Sequence, residues 1–402
     1  MSSNSILLIS ADEDVSKAVG DAIEAIEGVN LTRENASVSK LNGTAVKMAA
    51  DNDIVIFATD PSNAADLSAI EVLTAQRGPE TTYLALTDGD LPLSKVRALS
   101  RSGVDDVLPY PMSAEELNEL VGSILEEKRK AFEEKYSGDN AARGRLIAVQ
   151  QARGGVGSTT IAVNLADQLL QRKGALKKSA ENRVVIVDLD IQFGTVGDFL
   201  DIDEQEGLMQ LASESFLPDA MWVEQSITKL DSGLSVLAAP QSFAPLEALQ
   251  PAQIEALIQT LKTMYDYVVI DLPRALVSWI EPILAEADQL MIVTDMSVPS
   301  VRATRRLMDF VLADNVDLAI EIVINHEKKP MFRAEHHKEA SKALDMPFNH
   351  WIADDPKAAR QAVDYGKPLS EVAGRSDIAK GIAALAKATL QALPKEKTAA
   401  RV

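Results

Sequence analysis

The sequence predicts an α/β protein built as two parallel-sheet units in tandem, and three observations carry that prediction. Short apolar runs alternate with helical patterns along nearly the whole chain, as strands buried on both faces do. A glycine-rich loop lies between one such run and a helix near the start of the second series. A polar stretch at 137–144, containing Gly138 and Gly144, separates the two series. A chain of 402 residues also exceeds one ordinary domain.

In the first series strands are expected at 5–10, 29–33, 53–59, 81–87 and 105–108, with helices between them. The last helix has the clearest start. Ser113 and Glu116 have capping-box spacing, and Leu117, Leu120, Val121, Ile124 and Leu125 fall on one face. It is expected to run into the charged stretch 126–136. The second series predicts strands at 146–150, 184–188, 234–238, 267–271, 289–294 and 321–325, forming one doubly wound parallel sheet. Residues 171–183, rich in Lys and Arg, read as a lengthened loop. A final helix over 377–392 stops before Pro394. The domain boundaries that follow are 1–136, a linker 137–144, a second domain 145–394 and a polar tail 395–402.

Composition narrows the chemistry. There is no Cys, so disulfides and thiolate metal sites are excluded, and four His do not suggest a His-rich centre. The absence of Cys fits a cytoplasmic protein. Neither a signal peptide nor an apolar run long enough to span a membrane is visible. The net charge is −20, and residues 1–140 carry 12 Lys and Arg against 25 Asp and Glu. Such a surface repels phosphate backbones and anionic lipid, so neither nucleic-acid binding nor membrane insertion is expected.

The loop reads Gln151-Ala-Arg153-Gly154-Gly155-Val156-Gly157-Ser158-Thr159-Thr160. Its glycines let successive N–H groups point inward, and the helix that follows adds the positive end of its dipole, which suits a phosphate. Asp188 and Asp190 end the strand at 184–188 and the turn after it. Asp271 ends the apolar run at 267–271, and Asn325 ends the run at 321–325. Acids at the carboxyl ends of parallel strands sit where such sheets bind ligands.

These residues resemble the deviant Walker A, switch I and Walker B motifs of the MinD/ParA family of P-loop (SIMIBI-type) ATPases, over about residues 145–392. The resemblance implies an ATP and Mg²⁺ site. In it Arg153 through Thr160 cradle the phosphates, and Arg153 takes the place of the lysine that reaches a dimer partner's nucleotide. Thr159, Asp188 and Asp271 lie at the metal, Asp190 orients the attacking water, and Asn325 reads adenine. Two departures stand out. Ser158 occupies the position of the phosphate-gripping lysine, so hydrolysis should suffer more than binding. Arg274 and Ala275 follow Asp271-Leu-Pro273, where the family has Asp-x-Pro-x-Gly.

The first series resembles a response-regulator receiver, a flavodoxin-like fold. Asp12, Glu13, Asp14 and Thr87 match that pattern, but Ala58 stands at the phosphate-accepting Asp, with Asp60 two residues late, and Tyr110 at the Lys. An unphosphorylated interaction domain is expected. An atypical receiver fused to a MinD-like domain with this loop resembles the CpaE/TadZ family of Tad (Flp) pilus assembly proteins. That resemblance implies a homodimeric, ATP-binding and weakly or non-hydrolysing scaffold in the cytoplasm at the cell pole. Its partners would be the Tad secretion machinery, the motor ATPase included. Three alternatives stay open: an active ATPase of division-site placement or DNA partitioning, a phosphorylation-controlled regulator, and a second domain that no longer binds nucleotide.

Overall fold

A computed structural model describes residues 4–26, 29–41, 49, 52–75, 77, 81–89, 91–136, 143–172, 180–203, 205–332 and 334–395. The chain divides into two compact units, Met1–Phe132 and Glu133–Val402.

The first unit has a five-stranded sheet: β1 (Asn4–Ile9), β2 (Val29–Glu34), β3 (Ile54–Ala58), β4 (Thr82–Asp88) and β5 (Asp106–Tyr110). The order is β2-β1-β3-β4-β5 and every pairing is parallel, one of the common doubly wound arrangements. Alternate residues of each strand feed opposite faces. Ile6, Leu8, Ile54, Ile56, Leu84 and Leu86 pack under helices Glu13–Glu24 and Ala114–Tyr136. Leu7, Ile9, Val55, Phe57, Tyr83 and Ala85 meet Ile70, Leu73 and Leu99 on the other side. The expected capping box forms. Glu116 N donates to Ser113 Oγ at 3.1 Å, and Ser113 N donates to Glu116 Oε2 at 3.1 Å.

The second unit holds β6 (Arg145–Gln151), β7 (Val184–Asp188), β8 (Thr228–Lys229), β9 (Leu234–Leu237), β10 (Tyr267–Asp271), β11 (Gln289–Thr294), β12 (Ile320–Ile324) and β13 (His350–Trp351). They lie in the order β13-β12-β11-β6-β10-β7-β9-β8. The expectation of a purely parallel sheet is corrected at one edge, where β8 pairs antiparallel with β9. Two residues before a tight turn at Gly233 (φ 88°) leave too short an apolar pattern to read in sequence. The short edge strand β13 escaped notice for the same reason.

Helix Ser158–Leu169 lies against the sheet, and helix Asp377–Ala392 packs on it through Ile378, Ile382, Leu385 and Ala386, all buried. That final helix therefore uses its apolar face in the core. No described helix is long and apolar enough to cross a membrane. The expected linker falls at 137–142 outside the described residues, as do 173–179 of the basic loop and 396–402 of the tail. Gly144, expected as linker, is buried in the second unit. Its N–H donates to Lys262 O at 2.7 Å, and a Cβ there would sit 2.0 Å from Tyr265 O.

Candidate functional site

The glycine loop leaves β6 at the carboxyl edge of the sheet and enters helix Ser158–Leu169. Gly155 (φ 81°) and Gly157 (φ 82°) hold left-handed backbone, which glycine adopts without a Cβ penalty. Gly157 is the helix N-cap, and no side chain caps the helix. The first-turn N–H groups and the positive end of the dipole are thus left for an anion.

Asn325, just past β12, props the loop from behind. Its Nδ2 donates to Val156 O at 2.8 Å, and a Cβ on Gly157 would lie 2.6 Å from that same nitrogen. The residue expected to read adenine is therefore also a brace for the phosphate loop. Its Oδ1 is buried without a partner.

The acids gather as the strand ends require. Asp188 and Asp271 are register partners on adjacent β7 and β10. Thr159 Oγ1 donates to Asp271 Oδ2 at 2.6 Å, while Asp271 Oδ1 is buried with no partner. Burial pushes the Asp271 carboxyl well up, Asp188 and Asp190 add to the rise, and the Thr159 hydroxyl opposes it. Burial likewise raises Asp188, against hydrogen bonds from Val196 and Asp190, with the Asp190 charge adding to the rise. Two neighbouring buried carboxylates ionise together only beside a cation. The orphaned Asp271 oxygen next to the Thr159 hydroxyl fits Mg²⁺, a hard ion that takes oxygen ligands and keeps several waters.

Asp188 has a use that the sequence did not reveal. Its two oxygens accept the N–H groups of Asp190 (3.1 Å) and Val196 (3.0 Å), closing the loop that carries Asp190. A Cβ on Gly194 would meet Asp188 Oδ2 at 2.5 Å, so only glycine lets this turn fold tightly. Asp190 Oδ1 in turn accepts Phe193 N at 3.1 Å.

The two substituted positions behave differently. Ser158 is buried as the first residue of the helix and puts no charge in the loop. Arg153 folds back within its own chain, Nε to Ser300 Oγ at 2.7 Å and Nη2 to Asp295 Oδ2 at 2.6 Å. Burial works to raise the Asp295 carboxyl, but hydrogen bonds from Ser297, Ser300 and Arg153 outweigh it and hold it below the usual range. Asp295 and Ser300 were missed in the sequence, although an Asp ending the apolar run of β11 was the same signal that singled out Asp271. Gln150 was missed as well. Its Nε2 donates to Pro273 O at 3.0 Å and pins the segment after β10.

Several segments that leave the same end of the sheet carry exposed apolar side chains. Phe193, Phe243, Leu276, Val298, Met331 and Phe332 lie in the segments that follow β7, β9, β10, β11 and β12. The Phe193 and Phe243 rings meet edge to face at 5.8 Å.

Two other features lack this chemistry. A cavity of about 1010 Å³ opens at the far end of helix Ser158–Leu169, where buried Asp167 is satisfied by Arg172 and Ser370. Glu327, His336 and His337 have metal-ligand proximity. However, His337 Nδ1 accepts Ala334 N at 3.1 Å, which places the ring proton on Nε2 facing Glu327 Oε1 at 2.7 Å. That network leaves His337 no lone pair for a metal.

Residues 144–321 match the profile of the AAA domain family. The septum site-determining protein MinD of Synechocystis is 25% identical over 231 residues, 56% of this chain and 81% of that protein. The crystal structure of a ParA family ATPase from Chlorobium tepidum superposes with a TM-score of 0.53 at 23% identity, over 61% of this chain and 98% of that one. An ATP complex of a variant McdA from Cyanothece does so with a TM-score of 0.50 at 18% identity, over 64% and 99%. The second unit resembles MinD in sequence and shares its fold with the ParA family ATPase structure.

Proposed function

We propose that the chain is an ATP-binding scaffold that hydrolyses ATP weakly or not at all and works as a dimer. The carrying observation is a phosphate cradle complete in its glycines, its Thr159–Asp271 pair and its Asp190 turn, with a buried serine where the gripping lysine belongs. ATP in a structural neighbour of the same fold supports the ligand.

Bound Mg²⁺ would supply charge to the β- and γ-phosphate oxygens, held by Thr159 and Asp271. The loop N–H groups from Gly154 to Thr160 take the phosphates, and Asp190 is placed to orient a water. Without a lysine, charge developing on the γ-phosphoryl group is poorly neutralised, so binding outlasts turnover. The apolar side chains around the mouth of the site support burial against a second copy, with Arg153 released from Asp295 and Ser300 to reach the partner's nucleotide. Calorimetry with ATP and Mg²⁺, phosphate release, and light scattering with and without nucleotide test this together. Saturable binding, turnover far below that of relatives carrying the lysine, and a dimer are expected. Turnover at the relatives' rate sinks the scaffold reading.

The finer proposal is that this scaffold serves the polar Tad (Flp) pilus machinery. Its support is the pairing of units and the two variant motifs. We read 1–136 as a receiver-shaped interaction domain, 137–144 as a linker, 145–394 as the nucleotide domain and 395–402 as a tail. A cleft of about 530 Å³ at the carboxyl ends of β1, β3 and β4 is lined, among the described residues, by Asp12, Asp60, Asp66 and Asp88 and by no Lys or Arg. Four carboxylates among the described lining residues oppose a phosphoryl group there, against the single Lys95 charge that acts on Asp60 among the described residues. Incubation with acetyl phosphate should leave the intact mass unchanged, and a phosphoryl adduct on Asp60 would overturn the reading. The relatives' names favour a second reading, an active ATPase of division-site placement or partitioning, which the turnover measurement separates. Uniform distribution of a fluorescent fusion in the cell counts against the polar proposal.

A further inference from the structure

The missing lysine raises the question of what cation, if any, faces the phosphates. Arg153, the cation within the loop, is occupied by Asp295 and Ser300. The segment after β10 brings a second one. Leu272 N donates to Val149 O at 3.0 Å and Gln150 Nε2 donates to Pro273 O at 3.0 Å, so Leu272 and Pro273 are tied to the strand that feeds the loop. The next residue, Arg274, is exposed and leans over the loop, its Nη1 3.9 Å from where a Cβ on Gly154 would be. Among the described residues Arg274 has no hydrogen-bond or ion-pair partner. In a chain of net charge −20, an unpaired guanidinium beside a phosphate loop is a notable placement. It gives up no existing ion pair when it binds an anion, and its planar fork matches two phosphate oxygens.

We infer that Arg274 replaces the lysine lost at Ser158, gripping the β- and γ-phosphates of a nucleoside triphosphate from the switch segment instead of from the loop. This rests on the nucleotide-binding reading and deepens it. A lysine in the helix would grip phosphate whatever the switch segment does. Arg274 grips it only while Leu272 and Pro273 stay pinned, so triphosphate occupancy and the position of that segment are linked.

The test is ATP–Mg²⁺ and ADP–Mg²⁺ affinity of the full chain by calorimetry, for wild type, Arg274→Ala, Arg274→Lys and Arg274→Ala/Ser158→Lys, with Arg360→Ala as a surface-charge control. Arg274→Ala should weaken ATP roughly 10–100-fold, the usual worth of a charge-assisted phosphate contact, and ADP less. Arg274→Lys should retain part of the affinity, and the double variant should recover most of it. Recovery by a lysine at another position separates a lost charge from a disturbed switch segment. Unchanged ATP affinity in Arg274→Ala overturns the inference alone. Failure of the wild type to bind ATP overturns the nucleotide-binding reading and this inference with it.

Discussion

Ser158→Lys should raise ATP turnover of the full chain roughly 10–100-fold, because it restores a fixed cation where transition-state charge collects. The backbone already has the required form. Gly155 and Gly157 hold the loop open, and the helix presents its uncapped first turn. Thr159 Oγ1 already lies 2.6 Å from Asp271 Oδ2, and Asp190 already opens a closed turn. Only the amine is absent. Ser158 itself is buried, so a new lysine must thread along the loop toward the phosphate position, as it does in ordinary P-loops. Phosphate release under saturating ATP measures the gain. An unchanged rate, with native circular dichroism and intact ATP binding, shows that the switch segment limits turnover and not the missing charge. Ala275, at the end of the Asp271-Leu-Pro-Arg-Ala275 stretch, is then the next position to change.

Gly157→Ala should abolish nucleotide binding and destabilise the second unit by about 2 kcal/mol or more, a fall in Tm of roughly 4–8 °C. Two costs combine. The backbone at φ 82° disfavours any side chain, and the new methyl would stand 2.6 Å from Asn325 Nδ2. Asn325 cannot simply retreat, since its amide braces Val156 O and its other atom is already buried without a partner. Relief therefore comes from the loop, which carries the phosphate-binding N–H groups away with it. Asn325→Ala should partly restore Tm in the Gly157→Ala background, because it removes the obstacle. If Gly157→Ala leaves both Tm and ATP affinity unchanged, the brace does not constrain the loop.

Much of this was legible in one sequence because the signals are local. Strand β7, strand β10 and the final helix Asp377–Ala392 begin and end at the expected residues, since apolar runs flanked by charge or glycine need no distant partner to be recognised. The glycine loop was legible for the same reason. Its composition is the backbone requirement itself. Strands β8 and β13 were not legible, because two residues carry no periodicity.

What the sequence determined by itself is the type of fold, the order of the motifs and an uncharged residue, Ser158, at the end of the glycine loop. Those are properties of residue identity and spacing. Only the tertiary structure decided where the remaining charges go. It folds Arg153 back onto Asp295, leaves Arg274 unpaired beside Gly154, spends both Asp188 oxygens on the turn that carries Asp190, and braces the loop with Asn325. Each of these joins residues between 2 and 169 positions apart, and the longer separations are bridged only because parallel strands bring their carboxyl ends to one edge of the sheet.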